Sequence, residues 1–400
     1  MVQSAKVAEG FARGYNQRSN HFTGSPVSHG PQDAAGQAGN GMAGPVSAAS
    51  DFATGHFPIL RRIVRIEFLD LLCCSSCGGG LAHSGTAADD GHVIEGTLKC
   101  GGCGARFPIQ RGVPRLLPDD RNRSEVRDNT AARFGFEWNE FSSFELAAEE
   151  TSMATWMSPK QLSDLSGLTV LDAGCGMGRH AVIAAAHGVG RLVGIDLGSA
   201  VDAAFANTRH LPSVCIVQGD IYHPPVKNGA FDAAYSLGVL HHLPDPRRGF
   251  AALAPKVKPG GWFQVWLYGR EGNRWLLLVL NPIRRITSRT PLGLLKILSG
   301  IVAVPVAIAG KTIYRIPKLG GQLPYAAYMR WLAGGSFHKI HAIVFDQLLA
   351  PVAYYMRRDE VLAMAELPGC TVEAIEHNRG MSWGMTVGRT PLEQPVESAN

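Results

Sequence analysis

Short apolar runs alternate with helix-length segments from about residue 130 to the C-terminal part of the chain. Each run is long enough for a buried strand, and several of the intervening segments are long enough for a short helix. Strands that alternate with helices in this way are typical of a parallel, doubly wound α/β sheet. The first five predicted strands are 168–171, 191–195, 213–217, 231–236 and 261–267, the predicted helices are 179–186, 200–209 and 246–256, and two last strands, about 371–376 and 381–388, rejoin the sheet.

The first 57 residues contain no Leu, Ile, Trp or Cys and are rich in small and polar residues. We expect the segment 1–57 to be disordered, because it cannot bury enough apolar surface to offset its ordering entropy. Translation from Met42 is the alternative explanation. The chain has no apolar run at its N-terminus, so we expect no secretory signal and a reducing, cytoplasmic setting. The net charge of +5 is mild and argues against a nucleic-acid binder coated in charge.

Two C-x-x-C-G motifs lie 22 residues apart in the N-terminal part of the chain. Two thiolates spaced in this way reach one tetrahedral ion from a single tight turn, so the matched motifs predict a structural zinc site. A redox dithiol pair is the alternative. Cys73 is left over, because it lacks the i, i+3 spacing to the next cysteine. The predicted ligands are Cys74, Cys77, Cys100 and Cys103.

The segment 58–118 resembles the small zinc-ribbon family related to the activator subunit of tRNA and protein methyltransferases. The resemblance rests on the two cysteine motifs, on the sequence Phe107-Pro108-Ile109 and on the Gly-Val-Pro-Arg-Leu-Leu tail that ends at Leu117. It implies a small zinc ribbon over 58–118, which a charged linker, 119–128, separates from the rest of the chain.

A glycine-rich turn follows the first predicted strand, with the pattern D-x-G-x-G-x-G from Asp172 to Gly178. A dinucleotide fingerprint reads G-x-G-x-x-G and has no leading acid, because a pyrophosphate avoids a nearby carboxylate. The carboxylate of Asp172 favours a cationic ligand, and S-adenosylmethionine offers an ammonium and a sulfonium. Glycines let the backbone approach such a ligand closely. A glycine turn in an unrelated α/β fold is the alternative.

Two further acids end the second and third predicted strands, at the sheet edge where ligands of such folds bind. Asp196 can accept hydrogen bonds from both ribose hydroxyls, and Asp220 can accept one from the adenine amino group. The arrangement resembles class I S-adenosylmethionine-dependent methyltransferases over about 130–270. The segments that carry the resemblance are 170–179, 193–196, 219–221, 231–244 and 259–261.

This second resemblance implies a Rossmann-like sheet in a methyltransferase domain over 130–400, and methyl transfer from S-adenosylmethionine. It implies that Asp172 and the glycines hold the methionine moiety, that Asp196 holds the ribose, and that Asp220 with Ile221 holds the adenine. The predicted cofactor-binding residues are Asp172, Gly174, Cys175, Gly176, Gly178, Asp196, Leu197, Asp220, Ile221 and Ser236.

Methyl transfer from a sulfonium is a direct displacement, so alignment of acceptor and methyl lowers most of the barrier. A neutral hydroxyl or amine acceptor also benefits from a general base. The candidate catalytic residues are His241, after the fourth strand, and His341 with Asp346 in the C-terminal part; a packed or solvated histidine is the alternative at each position. The aromatic segment 134–139 predicts either a cover over the cofactor or a helix packed on the sheet.

The segment 272–345, after the fifth strand, holds ten Lys or Arg and no Asp or Glu beside two leucine-rich runs. We expect a helical insertion that meets an anionic membrane surface, forms a lid over the acceptor, or does both. A single membrane crossing is disfavoured, because the last strands must return to the same sheet. An RNA-binding surface is a third interpretation, although the exposed aromatic residues of a strand-binding groove are missing.

The sequence therefore predicts an α/β protein: a zinc ribbon, a doubly wound methyltransferase sheet and a helical insertion. The expected acceptor is a small molecule or one linked to a lipid or glycan, and the expected location is the cytoplasm or the inner face of the membrane. An RNA methyltransferase that uses the ribbon for nucleic-acid contact is the alternative. A silent adaptor that binds the cofactor without catalysis is a third hypothesis.

Overall fold

The computed structural model describes residues 64–84, 92–118 and 125–391 of the 400-residue chain. The segment 1–57 that the sequence predicts to be disordered, with Met42 inside it, lies outside the described residues. The same is true of residues 119–124 in the predicted linker.

The cysteine-rich part of the chain forms a small antiparallel sheet. The strands are β1 Val64–Arg65, β2 Leu81–Ser84, β3 His92–Val93, β4 Gly96–Cys100, β5 Arg106–Gln110 and β6 Val113–Pro114. They are joined in the order β2-β4-β5-β6, and β1 pairs separately with β3.

Seven further strands form one mostly parallel sheet, which confirms the predicted fold class. They are β7 Thr169–Ala173, β8 Arg191–Asp196, β9 Val214–Gln218, β10 Phe231–Leu237, β11 Val257–Tyr268, β12 Cys370–Asn378 and β13 Ser382–Arg389. The order across the sheet is β12-β13-β11-β10-β7-β8-β9, and β13 runs antiparallel to both of its neighbours. The last strands rejoin the sheet as predicted.

Helices cover the sheet and separate its strands. Two of them precede the first strand of the sheet, and the glycine-rich turn leads directly into the third. The helix that the sequence predicted over 246–256 ends earlier and continues as a short 3-10 turn over Ala254–Lys256. These helices are α1 Glu125–Glu140, α2 Leu146–Met157, α3 Arg179–Ala186, α4 Ala200–Thr208 and α5 Pro246–Leu253.

The segment between β11 and β12 is helical, in agreement with the predicted insertion. Its longest helix, Leu292–Lys311, packs along the helix Phe337–Leu349, which returns the chain toward the sheet. The helices are α6 Arg274–Thr287, α7 Leu292–Lys311, α8 Leu319–Gln322, α9 Ala326–Ala333, α10 Phe337–Leu349 and, after the insertion, α11 Arg358–Met364.

The ribbon packs against the edge strand of the large sheet. Its tail adds a short parallel bridge, in which the Leu116 amide donates to the Gln218 carbonyl over 2.8 Å. The guanidinium of Arg115 lies 2.6 Å from the Asp202 carboxylate of α4. Buried ribbon residues such as Leu98 share one apolar cluster with strand residues such as Val193. The zinc-ribbon part and the sheet therefore share a core.

Candidate functional site

The glycine-rich turn between β7 and α3 has the left-handed backbone that glycine tolerates best. Gly174, Gly176 and Gly178 have φ values of 89°, 52° and 79°. A side chain at Gly174 would also place its Cβ 2.4 Å from Val239, in the loop after β10. Both the dihedral angles and the space therefore require glycine here, and the turn brings its backbone to the carboxyl edge of the sheet.

Asp196 ends β8 and holds this turn in place. Its Oδ2 accepts a hydrogen bond from the Gly176 amide over 3.0 Å, and its Oδ1 accepts one from the Gly198 amide over 2.9 Å. Burial raises the pKa of Asp196, while these backbone donors act in the opposite direction. The predicted ribose-binding acid thus lies directly beside the predicted methionine-binding loop.

Asp172, at the end of β7, is fully buried next to this turn. The Tyr235 hydroxyl donates to its Oδ2 over 3.3 Å. Burial raises the pKa of Asp172 to about 8, and the nearby Asp196 adds to the rise. A buried carboxyl group with a raised pKa is stabilised in its ionised form by a cation. This environment fits the ammonium of S-adenosylmethionine.

Asp220, after β9, has partners that the sequence did not predict. Its Oδ2 accepts from Nη1 of Arg127 over 2.7 Å, and its Oδ1 accepts from the Tyr222 amide over 3.0 Å. Each carboxylate oxygen has a second lone pair, so an adenine amino group can still donate to Asp220. Ile221 is buried beside it, and the Leu197 carbonyl accepts from the Gln218 amide group over 2.9 Å.

Two other predicted cofactor residues have buried side chains that pack inside the domain. The Ser236 hydroxyl donates to the Ala173 carbonyl over 2.8 Å. Cys175 packs with Val113 of the ribbon and with Ile216, and burial raises the pKa of its thiol. Their side chains support the strand ends and the turn.

Helix α1 covers the cofactor loops. A side chain at Gly198 would place its Cβ 2.7 Å from the Ala131 carbonyl, and one at Gly176 would contact Nε1 of Trp138 at 3.2 Å. The Arg179 guanidinium lies 4.9 Å from the centre of a Trp138 ring. The two interpretations of the aromatic segment 134–139 are therefore compatible, since it is helical and lies over the loops.

A group of polar side chains lies beyond the carboxyl ends of β10 and β11, beneath the insertion, and we call it the buried polar cluster. Glu137, His241 and Arg284 are buried, and the other members are half-buried. The Tyr268 hydroxyl donates to Oδ2 of Asp346 over 2.9 Å. The ring centres of His241 and Tyr268 are 3.9 Å apart. Arg284 donates to the Gln347 side chain over 2.9 Å. The cluster consists of Glu137, His241, Tyr268, Arg284, Asp346, Gln347 and Tyr355.

Three members of this cluster have buried polar atoms without a hydrogen-bond partner among the described residues. They are both carboxylate oxygens of Glu137, both ring nitrogens of His241 and Nη1 of Arg284. Burial raises the pKa of Glu137 well above its usual value, with a further contribution from Asp346. Burial and the neighbouring His242 hold the pKa of His241 well below its usual value. Five of the thirteen buried side-chain polar atoms that lack a partner among the described residues therefore lie in this one cluster, where a bound ligand can satisfy them.

The structure brings two of the three candidate catalytic residues together and places the third elsewhere. His241 and Asp346 both contact Tyr268. His341 lies between α7 and α10, where its Nε2 is 3.0 Å from the Lys296 carbonyl and 3.0 Å from the Ser299 hydroxyl. Those contacts are typical of a packed histidine.

Glu137 was not predicted as a site residue. It lies in the aromatic segment that the sequence did single out, and a carboxyl group flanked by Phe136 and Trp138 was the available signal. Arg127 gave no comparable signal, because its partner is distant in the sequence.

The four predicted zinc ligands converge, since their Sγ atoms all lie within 4.8 Å of one another. The Gly102 amide donates to the Cys100 sulfur over 3.3 Å. The Cys103 amide lowers the pKa of the Cys100 thiol to about 6, which favours the thiolate that a metal binds. Four thiolates at this separation fit tetrahedral zinc with no open position. Cys73 is buried outside the group, and its amide donates to the Pro225 carbonyl over 3.0 Å.

The part of the chain with the glycine-rich turn and the part with the four cysteines match two different known families. Residues 171–265 match the family described as "Methyltransferase domain", and residues 65–112 match "Trm112p-like protein". The chain contains a methyltransferase domain and a Trm112p-like zinc ribbon. The methyltransferase match begins within β7 and ends within β11, so it includes the glycine-rich turn and all three acids at the strand ends.

The chain spans between a quarter and about half of the length of the curated relatives that it matches first. A tRNA U34 carboxymethyltransferase of Methylococcus capsulatus is 33% identical over 190 residues, which are 46% of this chain and 54% of that protein. A ubiquinone biosynthesis O-methyltransferase of Chromobacterium violaceum is 33% identical over 125 residues, 30% of this chain and 52% of that protein. These relatives have different acceptors.

Solved structures with similarity to the chain include methyltransferases. The magnesium protoporphyrin IX methyltransferase of Synechocystis is 15% identical, with a TM-score of 0.38, and the match covers 66% of this chain and 98% of that one. A complex of the Haloferax volcanii Trm112 activator with a methyltransferase contains a chain that is 23% identical, with a TM-score of 0.28 and coverage of 36% and 60%.

Proposed function

We propose that this protein transfers a methyl group from S-adenosylmethionine to a small or lipid-linked acceptor that enters the buried polar cluster. The observation that carries the proposal is the set of unsatisfied buried atoms on Glu137, His241 and Arg284. A compact acceptor that hydrogen-bonds to these atoms would remove the cost of leaving them unpaired. The predicted cofactor site of the methyltransferase domain would lie next to the cluster.

The cluster is close to the cofactor loops. The guanidinium of Arg179, the residue after the glycine-rich turn, lies 4.9 Å from the ring centre of Trp138, which follows Glu137 in the chain. Val239 contacts Gly174, and His241 follows Val239 two residues later. An acceptor held by the cluster would therefore lie at the same edge of the sheet as the methyl donor. Such proximity is the main requirement of a displacement reaction.

The chain's own residues would orient the acceptor and remove its proton. S-adenosylmethionine supplies an electrophilic methyl group, and its sulfonium becomes a neutral thioether when the carbon–sulfur bond breaks. An acceptor hydroxyl or amine uses a lone pair to form the new bond to carbon. The ionised Glu137 carboxylate would take up its proton, since burial raises the pKa of this group and so makes its ionised form a stronger base. His241 and Arg284 would hold the acceptor by hydrogen bonds.

The zinc ribbon is proposed to have a structural role in this reaction. Its four cysteines leave no ligand position for a substrate, and its tail extends the edge of the sheet at Gln218. Arg115 also binds Asp202 at 2.6 Å, which stabilises α4 beside the cofactor loops. Zinc bound to the ribbon would in this way support the domain that binds the cofactor.

A second candidate function is methylation of RNA. It is favoured by the Trm112p-like ribbon and by the similarity to a tRNA carboxymethyltransferase. The buried position of the cluster argues for a compact acceptor instead, since an RNA substrate requires an open, basic surface near the methyl donor.

The proposal is tested by comparing small-molecule and lipid extracts of cells that have or lack the gene. Mass spectrometry should find a compound lighter by one methyl group in cells without the gene, and the purified protein should methylate it. Glu137→Gln should abolish turnover but retain cofactor binding. Glu150→Gln serves as a control, because Glu150 pairs with His187 outside the cluster.

The possible results of this experiment support different hypotheses. Wild-type turnover that rises with pH, together with loss of turnover in Glu137→Gln, supports Glu137 as the general base. Full activity of Glu137→Gln contradicts that role. Methylation of RNA alone supports the second candidate, and cofactor binding without any methylated product supports a silent adaptor.

A further inference from the structure

The insertion carries nearly all of the exposed apolar surface of the described chain. Of nineteen exposed large apolar side chains there, sixteen lie between Trp275 and Phe337. Trp275 and Ile286 are 79% and 73% exposed. Isolated apolar residues on a surface are ordinary, whereas this many on neighbouring helical turns of one segment indicate an interaction site. We call this surface the outer apolar face and define it by Trp275, Leu278, Ile286, Ile297, Ile301 and Ile308.

Helix α7 has its bulky residues on the outside. A helix of a soluble protein normally directs its large apolar side chains to the core. The buried side of α7 instead consists mainly of small residues, which allow close packing against α10, while Ile297, Ile301 and Ile308 are exposed. This distribution is typical of helices whose outer side faces lipid. The buried residues of α7 are Leu295, Ser299, Ala303, Ala307 and Gly310.

The charge of this surface complements an anionic partner. Between residues 272 and 345 the sequence contains no Asp or Glu. Six exposed basic residues lie near the two ends of α6 and at or beyond the last residue of α7, in the same segment as the exposed apolar side chains. Apolar side chains bordered by Lys and Arg are characteristic of helices that lie in the interface of an anionic membrane. These basic residues are Arg274, Arg285, Arg289, Lys311, Arg315 and Lys318.

Four of the ten basic residues of the insertion do not belong to this surface, and one of them, Arg330, is exposed on α9. Arg284 is buried and binds Gln347. Lys296 pairs with Glu140 of α1, and Lys339 lies 2.9 Å from Glu149 of α2. The remaining exposed basic residues have no acidic neighbours within the insertion itself, so they are available to lipid headgroups.

The structure favours docking on one side of a bilayer over crossing it. The segment Leu292–Arg315 is long and apolar enough to span a membrane. Only 17% of its most apolar 18-residue stretch is buried. However, the pair between Lys296 and Glu140 ties the first turns of α7 to α1, which covers the cofactor loops. A charged pair of the catalytic domain would have to enter the hydrocarbon core if α7 crossed the bilayer.

We propose that the outer apolar face docks on the surface of an anionic lipid bilayer, with α6 and α7 lying in the membrane interface. Docking in this form does not depend on the acceptor. If the proposed function holds, docking would also bring the acceptor site to the membrane. Arg284 of α6 and Asp346 of α10 both belong to the buried polar cluster. The cluster would then be reached from the bilayer by a lipid-linked acceptor.

The test uses the full chain and vesicles of phosphatidylcholine with or without phosphatidylglycerol. Arg285→Glu combined with Arg289→Glu reverses two exposed charges, and Ile297→Gln combined with Ile301→Gln makes the apolar face polar. Arg106→Glu combined with Arg209→Glu is the matched control, since these exposed arginines lie outside the insertion. Calorimetry with S-adenosylmethionine checks in parallel that each variant is folded.

We expect the wild type to co-sediment with phosphatidylglycerol vesicles, more weakly at high salt and with pure phosphatidylcholine. The partition coefficient should fall about tenfold or more in the charge-reversed variant and in the polar variant, but not in the control. Absence of sedimentation at low salt, or equal sedimentation of all variants, would overturn the proposal. So would a stable dimer that dissociates in the polar variant and ignores vesicles, because the face would then bind a second copy. Vesicle binding and methyl transfer are measured separately, so the failure of one is distinguishable from the failure of the other.

Discussion

Arg127 and Asp220 form a buried ion pair, in which Nη1 of the guanidinium lies 2.7 Å from Oδ2 of the carboxylate. Their side chains are only 6% and 1% exposed. Arg127 belongs to the first turn of α1, whereas Asp220 follows β9. The pair therefore connects the helix that covers the cofactor loops with the acid that is predicted to bind adenine.

Removing the arginine should leave the Asp220 carboxylate buried without its charged partner. We expect Arg127→Met to lower the free energy of unfolding by about 3–5 kcal/mol. Because the penalty comes from the uncompensated charge, adding Asp220→Asn should recover part of the loss. Urea denaturation of the cofactor-free protein measures both effects. Equal midpoints for the wild type and Arg127→Met would show that the pair contributes nothing to stability.

Asp196 is expected to be essential for cofactor affinity. Asp196→Ala removes the acceptor for the Gly176 amide as well as the proposed acceptor for the ribose. We expect binding of S-adenosylmethionine to weaken by about 1–3 kcal/mol, the cost of leaving such donors unpaired. Calorimetry measures the affinity, with Asp232→Ala as a control, because Asp232 accepts from the Thr169 amide at the start of β7. Unchanged affinity in a folded Asp196→Ala protein would contradict the assignment.

Asp172 should make cofactor binding release a proton. With a pKa of about 8 its carboxyl group is mostly protonated at pH 7, and a bound ammonium would favour the ionised form. We expect nearly one proton to be released per cofactor at pH 7, and almost none in Asp172→Asn. Calorimetry in buffers of different ionisation enthalpy measures the number. A heat of binding that is independent of the buffer would exclude this coupling.

The same group should affect stability in a defined direction. Its folded pKa of about 8 lies above the unfolded value of 3.8, so the folded state binds more protons between these values. The contribution of Asp172 to the free energy of unfolding should therefore fall as pH rises from about 4 to about 8. Asp172→Asn should remove that slope, which urea denaturation at several pH values can detect. A wild-type slope that persists in the variant would assign it to other groups.

One zinc ion per chain is expected at the four convergent cysteines. Elemental analysis of protein prepared under reducing conditions should find the metal in the wild type and in Cys73→Ser. Cys100→Ser should lose it, because the site then lacks a tetrahedral ligand. Removal of zinc should destabilise the ribbon, because four neighbouring thiolates would then lie together without the ion that joins them. Metal-free wild type, or loss of zinc in Cys73→Ser, would contradict the assignment.

The sequence determined the features that depend on local pattern. The alternation of apolar runs and helical segments predicted the strands of the sheet, because a strand that is buried on both faces is mostly apolar along its length. The spacing of the cysteines predicted which four sulfur atoms converge, since a two-residue separation forms a tight turn by itself. The turn from Asp172 to Gly178 could also be predicted from the sequence, because its conformation depends on glycine at fixed positions.

Only the tertiary structure decided which distant side chains meet. Arg127 reaches Asp220 across 93 residues of sequence. Glu137 is a candidate base because α1 buries it beside Asp346, a neighbour that no local pattern specifies. The basic insertion likewise divides into residues that pair with α1 and α2 and residues that remain exposed, and composition cannot make that division. Burial and the approach of remote charges arise from packing, so the chemistry that depends on them could be read only from the folded chain.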